Sequence, residues 1–184
     1  MVWIFGYGSL IWRPGFPYAR AKICYAKNYK RVWHQGSTDH RGTVDRPGRT
    51  VTLEGRAGAV VWGRAFDIGD DGVDATKEIL ATLRIREKQY DLEKTLDLYE
   101  ASGEVAVRDA LTWIATPNRE TNPNYLGPAS LDDLSAQIAR SRGPSGPNSE
   151  YVFMLAKAMR EYGLEDDDLF RIEAKVKGLL GEAA

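Results

Sequence analysis

The sequence predicts an α+β domain built on an antiparallel or mixed sheet, and three observations carry that prediction. Short segments rich in β-branched and aromatic residues fill most of the first two-thirds of the chain. Helical periodicity is confined to one inserted segment and to the last third, and strands do not alternate with helices as βαβ units require. With 184 residues, 43% hydrophobic and 28% charged, a single domain spanning 1–184 can bury a core, with helices over 149–182 packing on it.

In chain order, Val2 to Phe5 reads as a short apolar strand running into Gly6-Tyr7-Gly8-Ser9. Ala21 to Trp33 mixes aromatic, β-branched and lysine residues and fits one or two strands with an exposed face. Gly36 to Arg49 is dense in Gly, Asp, Arg and Pro; irregular chain of that length is usually functional or mobile. Thr50 to Leu53 and Ala59 to Phe66 read as two strands joined by a turn at Gly55 to Gly58. Asp70-Asp71-Gly72 opens a helix, with acid where the helix dipole favours it, and Val73, Lys77, Leu80, Leu83 and Arg84 carry its period to about Arg86. Leu92, Leu96 and Leu98 mark a strand, with Val105, Val107, Leu111 and Trp113 as its antiparallel partner across Ser102-Gly103. Ser130 to Asp133 is an S-x-x-D start for a helix ending near Arg142. Gly143 to Pro147 breaks the chain, Asn148 or Ser149 caps the next helix, and a last helix follows Gly163.

A formal charge of −1 leaves no global basic footprint, so neither nucleic acid nor an anionic membrane is an expected partner. Arg41, Arg46 and Arg49 form a local cluster able to steer a small anion. One cysteine excludes an internal disulfide, and one cysteine with two histidines makes a structural zinc site hard to assemble. Cys24 lies in an apolar stretch and reads as a buried, inert thiol. The apolar amino terminus has no basic leader and is interrupted by Gly6, Gly8, Arg13 and Pro14, which fits neither a signal peptide nor a spanning helix. The default compartment is a reducing cytoplasm. The five tryptophans sit mostly at strand spacing and are expected in the core.

Four segments have the residue types for chemistry. In Phe5-Gly6-Tyr7-Gly8-Ser9-Leu10, two glycines flanking a tyrosine allow successive N–H groups to converge on an anion; a plain turn is the alternative. A dinucleotide fingerprint would need glycine at position 11 and a helix beyond it, and Ile11 followed by Trp12-Arg13-Pro14-Gly15 supplies neither. Glu87, between Arg86 and Lys88, is a solvated surface pair unless it points inward, where loss of water would raise its pKa toward neutrality. Ser37, Asp39 and His40 suggest a hydrolase triad, yet neighbours in an extended loop diverge; Arg41 beside them suits either a ligand loop or a structural one. Tyr125 either offers a phenol to a substrate or packs over the turn Asn124-Tyr125-Leu126-Gly127-Pro128.

Taken together and in order, Trp3 to Trp12, the Gln35 to Gly42 loop, Val51-Thr52-Leu53, Trp62-Gly63, Arg86-Glu87, Tyr125 to Pro128 and Gly143-Pro144-Ser145-Gly146 resemble the ChaC-like family of glutathione-specific γ-glutamyl cyclotransferases. The likeness runs from Val2 to about Leu180. It implies a γ-glutamyl cyclotransferase-like fold, a small barrel-like mixed sheet with flanking helices. It also implies cleavage of reduced glutathione to 5-oxoproline and cysteinylglycine with no metal or organic cofactor. The family's substrate loop maps onto Ile4, Phe5, Gly6, Tyr7, Gly8, Ser9 and Leu10, and its catalytic glutamate onto Glu87. Arg41 and Tyr125 map as candidate substrate contacts. Two alternatives remain: a cyclotransferase for other γ-glutamyl amines or amino acids, and a non-catalytic binding module of the same fold. Oligomeric state is left open.

The implied reaction is an intramolecular acyl transfer, in which the substrate's own α-amine attacks its γ-carbonyl. A tethered nucleophile removes the need for an enzymic serine or cysteine and gains from effective molarity. What remains is to move a proton from the α-ammonium to the leaving nitrogen. Glu87 suits that task only if it is partly desolvated and its basic neighbours point away or pair elsewhere.

Overall fold

The computed structural model describes residues 1–69 and 73–181. Asp70-Asp71-Gly72, read above as a helix start, lies outside the described residues. Five strands close a barrel in the order β1-β3-β2-β4-β5: β1 Trp3–Gly6, β2 Arg20–Ser37, β3 Gly48–Asp67, β4 Leu92–Tyr99 and β5 Val105–Ile114. β1 runs antiparallel to β3, with Trp3 opposite Asp67 and Gly6 opposite Arg64. It runs parallel to β5 through Ile4 and Leu111, and this pairing closes the ring. The α+β class and the barrel-like mixed sheet are therefore present. The helices are α1 Val73–Arg86, α2 Leu131–Arg140, α3 Asn148–Glu161 and α4 Asp167–Leu180.

The chain divides into two compact units, Met1–Arg31 with Leu53–Asn122, and Val32–Thr52 with Pro123–Ala184. In the first, Ile4, Leu10, Phe66, Ile68, Leu83 and Trp113 form one buried cluster. Strand alternation supplies Ile4, Phe66 and Trp113, and α1 adds Leu83. In the second, Leu134, Ile138, Val152, Leu155, Leu169 and Val176 bury the inward faces of α2, α3 and α4. The S-x-x-D signal holds, because Ser130 Oγ accepts the Asp133 N–H at 3.1 Å. Asp166 caps α4 in the same way through the Leu169 N–H at 3.0 Å, and Gly181 ends it at φ 71°.

Three local expectations are corrected. Thr50–Leu53 and Ala59–Phe66 are one strand, β3, which runs straight through Gly55 and Gly58. Gly58, at φ +76°, is held instead of turned: its N–H donates to Asn28 Oδ1 at 3.0 Å on β2, where Asn28 also has positive φ. β2 extends to Ser37 and takes in the start of the predicted loop, leaving 38–47 as the irregular segment. Asn148 does not cap α3; its amide clasps the Arg49 backbone, accepting from its N–H at 2.6 Å and donating to its carbonyl at 2.9 Å. The break at Gly143 to Pro147 is a minimal hairpin of β6 Arg142–Gly143 and β7 Gly146–Pro147. Among the described residues, no helix is long and apolar enough to cross a membrane.

Candidate active site

In the first unit, β1 delivers its end to a glycine turn. Ile4 and Phe5 place their side chains in the core, and the Phe5 carbonyl accepts from Thr112 Oγ1 at 2.9 Å. The chain then folds back at Gly6, where a Cβ would lie 2.5 Å from Leu10 Cβ, so only hydrogen fits. Across on β3, a Cβ on Gly63 would lie 2.4 Å from the Gly6 carbonyl oxygen. From Gly8 the backbone enters a single 3₁₀ turn, Ser9–Ile11, whose leading N–H groups have no carbonyl partner within the turn. Leu10 anchors this turn by its buried side chain. Ile4, Phe5, Tyr7 and Leu10 thus bury their side chains, leaving main chain and the half-buried Ser9 at the turn.

Two groups fix the turn's orientation. Tyr7 is buried and its hydroxyl donates to the Trp113 carbonyl at 2.5 Å. The buried Arg31 donates from Nε to the Tyr7 carbonyl at 2.8 Å and from Nη2 to the Trp62 carbonyl at 2.5 Å. Because the trans peptide is planar, holding the Tyr7 carbonyl on one side directs the Gly8 N–H to the other. Sequence reasoning missed Arg31. The signal was its period-2 register with Trp33 and Gln35, all three of which are buried.

Glu87 immediately follows α1, with its N–H still bonded to the Leu83 carbonyl at 2.8 Å. One helical turn from core residue Leu83, it shares that residue's inward face. Only 14% of its side chain is accessible. Burial pushes its carboxyl up to about 7, against the opposing pull of Arg86. Of the basic neighbours, Arg84 turns out to Glu93, with which it forms a fork at 2.7 and 2.8 Å. Arg86 does not turn away: Nε lies 3.4 Å from Glu87 Oε1, while Nη1 donates to the Pro14 carbonyl at 2.6 Å and Nη2 to Ser9 Oγ at 3.0 Å. The expectation that both arginines pair elsewhere thus holds for Arg84 and fails for Arg86. Loss of hydration outweighs a cation whose terminal nitrogens are committed to the loop.

In the second unit, Arg41 is buried; its Nη1 donates to the Pro147 carbonyl at 3.1 Å and to Glu150 Oε2 at 2.6 Å. Ser37 Oγ accepts the Arg41 N–H at 3.0 Å and so is occupied within the loop. His40 Nδ1 lies 3.2 Å from Ser145 Oγ, and Asp39 stands 3.9 Å from its Nε2, too far for the hydrogen bond a triad needs. Tyr125 is half-buried, pairs by a β-bridge with Gln35 and meets the His34 ring edge-on at 6.0 Å. Arg49, read above as part of an anion-steering cluster, is instead buried in a structural role: it donates from Nη1 to the carbonyls of Trp33 at 2.9 Å and Gly127 at 2.6 Å, and from Nε to Gln137 at 2.8 Å. Thus Ile4 to Leu10 and Glu87 fall in the first unit, and Arg41 and Tyr125 in the second.

Among the described residues, no cluster of His, Cys, Asp and Glu is arranged to hold a metal ion. Cys24 is fully buried, and burial pushes its thiol up to about 11, the state of an unreactive sulfur.

The barrel is shared with γ-glutamyl cyclotransferases of known structure. One specific to glutathione, from yeast, superimposes with a TM-score of 0.85 at 23% identity, covering 96% of each chain. A structure described as gamma-glutamyl cyclotransferase gives 0.55 at 14% identity, over 94% of this chain and 86% of that one. This is the γ-glutamyl cyclotransferase fold. In sequence, the ChaC-like protein family matches residues 2–179, and the chain belongs to that family. "Gamma-glutamylcyclotransferase 2-3" of Arabidopsis thaliana is 45% identical over 184 residues, covering 99% of this chain and 92% of the relative. "Glutathione-specific gamma-glutamylcyclotransferase 1" of Danio rerio is 41% identical over 177 residues, covering 94% and 87%.

Proposed function

We propose that this protein cleaves reduced glutathione by intramolecular attack of the γ-glutamyl α-amine on the γ-carbonyl, releasing 5-oxoproline and cysteinylglycine. The observation that carries the reading is Glu87, a carboxyl withdrawn from water and joined through Arg86 to the glycine turn. With its pKa raised to about 7, Glu87 has both its protonated and its ionised form within reach near neutral pH. Such a group can take a proton from the α-ammonium and pass it to the leaving nitrogen with little driving force lost either way. Balanced from the α-ammonium, the step forms the lactam C–N bond, breaks the original amide C–N bond, and moves two protons, one at a time by way of Glu87, from the attacking nitrogen to the leaving nitrogen, so that cysteinylglycine departs with its amino group as the ammonium.

The main-chain donors of Gly6 to Leu10 serve the substrate's α-carboxylate and the oxyanion that develops on the γ-carbonyl; one such donor is typically worth about 3 kcal/mol. The chemistry calls for no metal or organic cofactor, because the nucleophile is tethered and one carboxyl handles the proton. Tyr125 is carried as a substrate contact through its phenol. Arg41 is the second proposed contact, although its Nη1 is bonded to Pro147 and Glu150. A reducing cytoplasm is the proposed compartment, where reduced glutathione is available.

Substrate choice is tested by incubating purified protein with reduced glutathione, γ-glutamyl-alanine and γ-glutamyl-lysine and detecting 5-oxoproline by mass. Product from glutathione in strong preference supports the reading. Product from the other two alone moves the assignment to another γ-glutamyl amine, and binding without product from any of them leaves only a ligand-binding module.

A further inference from the structure

We propose that Arg86 is a positioning residue, a single guanidinium that ties the glycine turn, by hydrogen bonds, to the Glu87 carboxyl, by an ion pair. The inference rests on the cyclotransferase reading for its catalytic consequence, but the geometry stands without it. Three faces of one planar fork are engaged. Nη2 reaches Ser9 Oγ in the 3₁₀ turn, Nη1 reaches the Pro14 carbonyl beyond it, and Nε faces Glu87 Oε1 at 3.4 Å. The surroundings are shaped for this fork: a Cβ on Gly15 would lie 3.0 Å from Nη1, and Gly15 takes a positive φ of 76°. Three-quarters of the Arg86 side chain is buried, since 25% of it is accessible. A lysine in its place has a point charge and no planar fork, so it cannot hold both loop acceptors in this geometry.

The arrangement has two consequences. Displacement of α1 is passed to the turn, so carboxyl and main-chain donors keep a fixed relation, the precision that acyl transfer requires. The cation also sets the pH range of the carboxyl. Of the basic sequence neighbours of Glu87, Arg84 is bonded to Glu93 and Lys88 is exposed. The positive charge opposing burial at Glu87 is Arg86. Removing it leaves burial unopposed, and the carboxyl titrates higher.

The direct test is a ¹³C titration of glutamate-labelled protein without substrate, with the Glu87 signal identified by its absence in Glu87→Gln. Wild type is expected to titrate near 7. Arg86→Gln should titrate about one pH unit higher, while Arg86→Lys, which keeps the charge, should stay close to wild type. In the same proteins, the acid limb of kcat/KM should move with the titration in Arg86→Gln. Arg86→Lys should lose about tenfold to a hundredfold in kcat/KM with its limb unmoved. An unchanged Glu87 midpoint in a folded Arg86→Gln protein, or full activity in both variants, overturns the proposal. If the midpoint shifts but no protein, wild type included, yields 5-oxoproline, the proposed function falls while the coupling between Arg86 and Glu87 stands.

Discussion

At the scale of single residues, the chain holds a carboxyl in a place that costs stability. The folded pKa of Glu87, about 7, lies above its ordinary 4.5, so the fold favours the protonated form. The associated stability is fully present below about pH 4.5 and is lost as pH rises through 7, by about 3 kcal/mol at most. Glu87→Gln, neutral at every pH, should therefore melt higher than wild type at pH 8 and nearly together with it at pH 4.5, as thermal unfolding at the two pH values will show. Gly6 behaves differently. A methyl group there meets Leu10 Cβ at 2.5 Å, so Gly6→Ala should disrupt the turn and cost about 1–3 kcal/mol as well as activity, read by urea unfolding beside product assays. Glu87 itself was legible as a candidate, since it lies four residues beyond Leu83 on one helical face. Its desolvation was not legible, because burial at a helix end is set by tertiary packing, and even the partners of neighbouring Arg86, Ser9 and Pro14, lie more than seventy residues earlier in the chain.

At the scale of elements, glycines misled and arginines hid. Gly55 to Gly58 has the composition of a turn, yet β3 continues through it because Asn28 on β2 takes up the Gly58 N–H. A glycine's conformational freedom is permission, and the neighbouring strand decides how it is used. Buried Arg49 is invisible to a hydrophobic pattern, although it ties the end of β2 to the Gly127 turn and to α2. Arg49→Met keeps much of the stem but leaves the Trp33 and Gly127 carbonyls without this donor; each unpaired acceptor costs about 1–3 kcal/mol. The urea midpoint should fall accordingly. In α4, burial acts to raise the Glu173 carboxyl, but hydrogen bonds from Arg160 and Lys177 outweigh it and hold the group below its ordinary value. Its contribution is present above the ordinary carboxylate pKa and fades as pH falls through the lowered one. Glu173→Gln should accordingly lose about 1–2 kcal/mol at pH 7 and little at low pH, measured by thermal unfolding.

At the scale of the whole molecule, the order of segments was enough for the α+β class, because strands precede helices and no βαβ unit intervenes. Closure was beyond reach of local patterns: it depends on the parallel pairing of Ile4 with Leu111, a contact between distant segments that neither segment encodes alone. The motif order from Trp3 to Gly146 carried the family where single motifs stayed ambiguous, and the match over residues 2–179 agrees with it. The central claim is that one desolvated carboxyl carries the proton between the two nitrogens of a tethered acyl transfer. Its most direct test pairs glutathione calorimetry with 5-oxoproline detection in Glu87→Gln. Binding within a few-fold of wild type, with product formation lower by about 10²–10⁴-fold, is the predicted result. Turnover within about tenfold of wild type in that variant would contradict the account, because the proton would then be moving by another route.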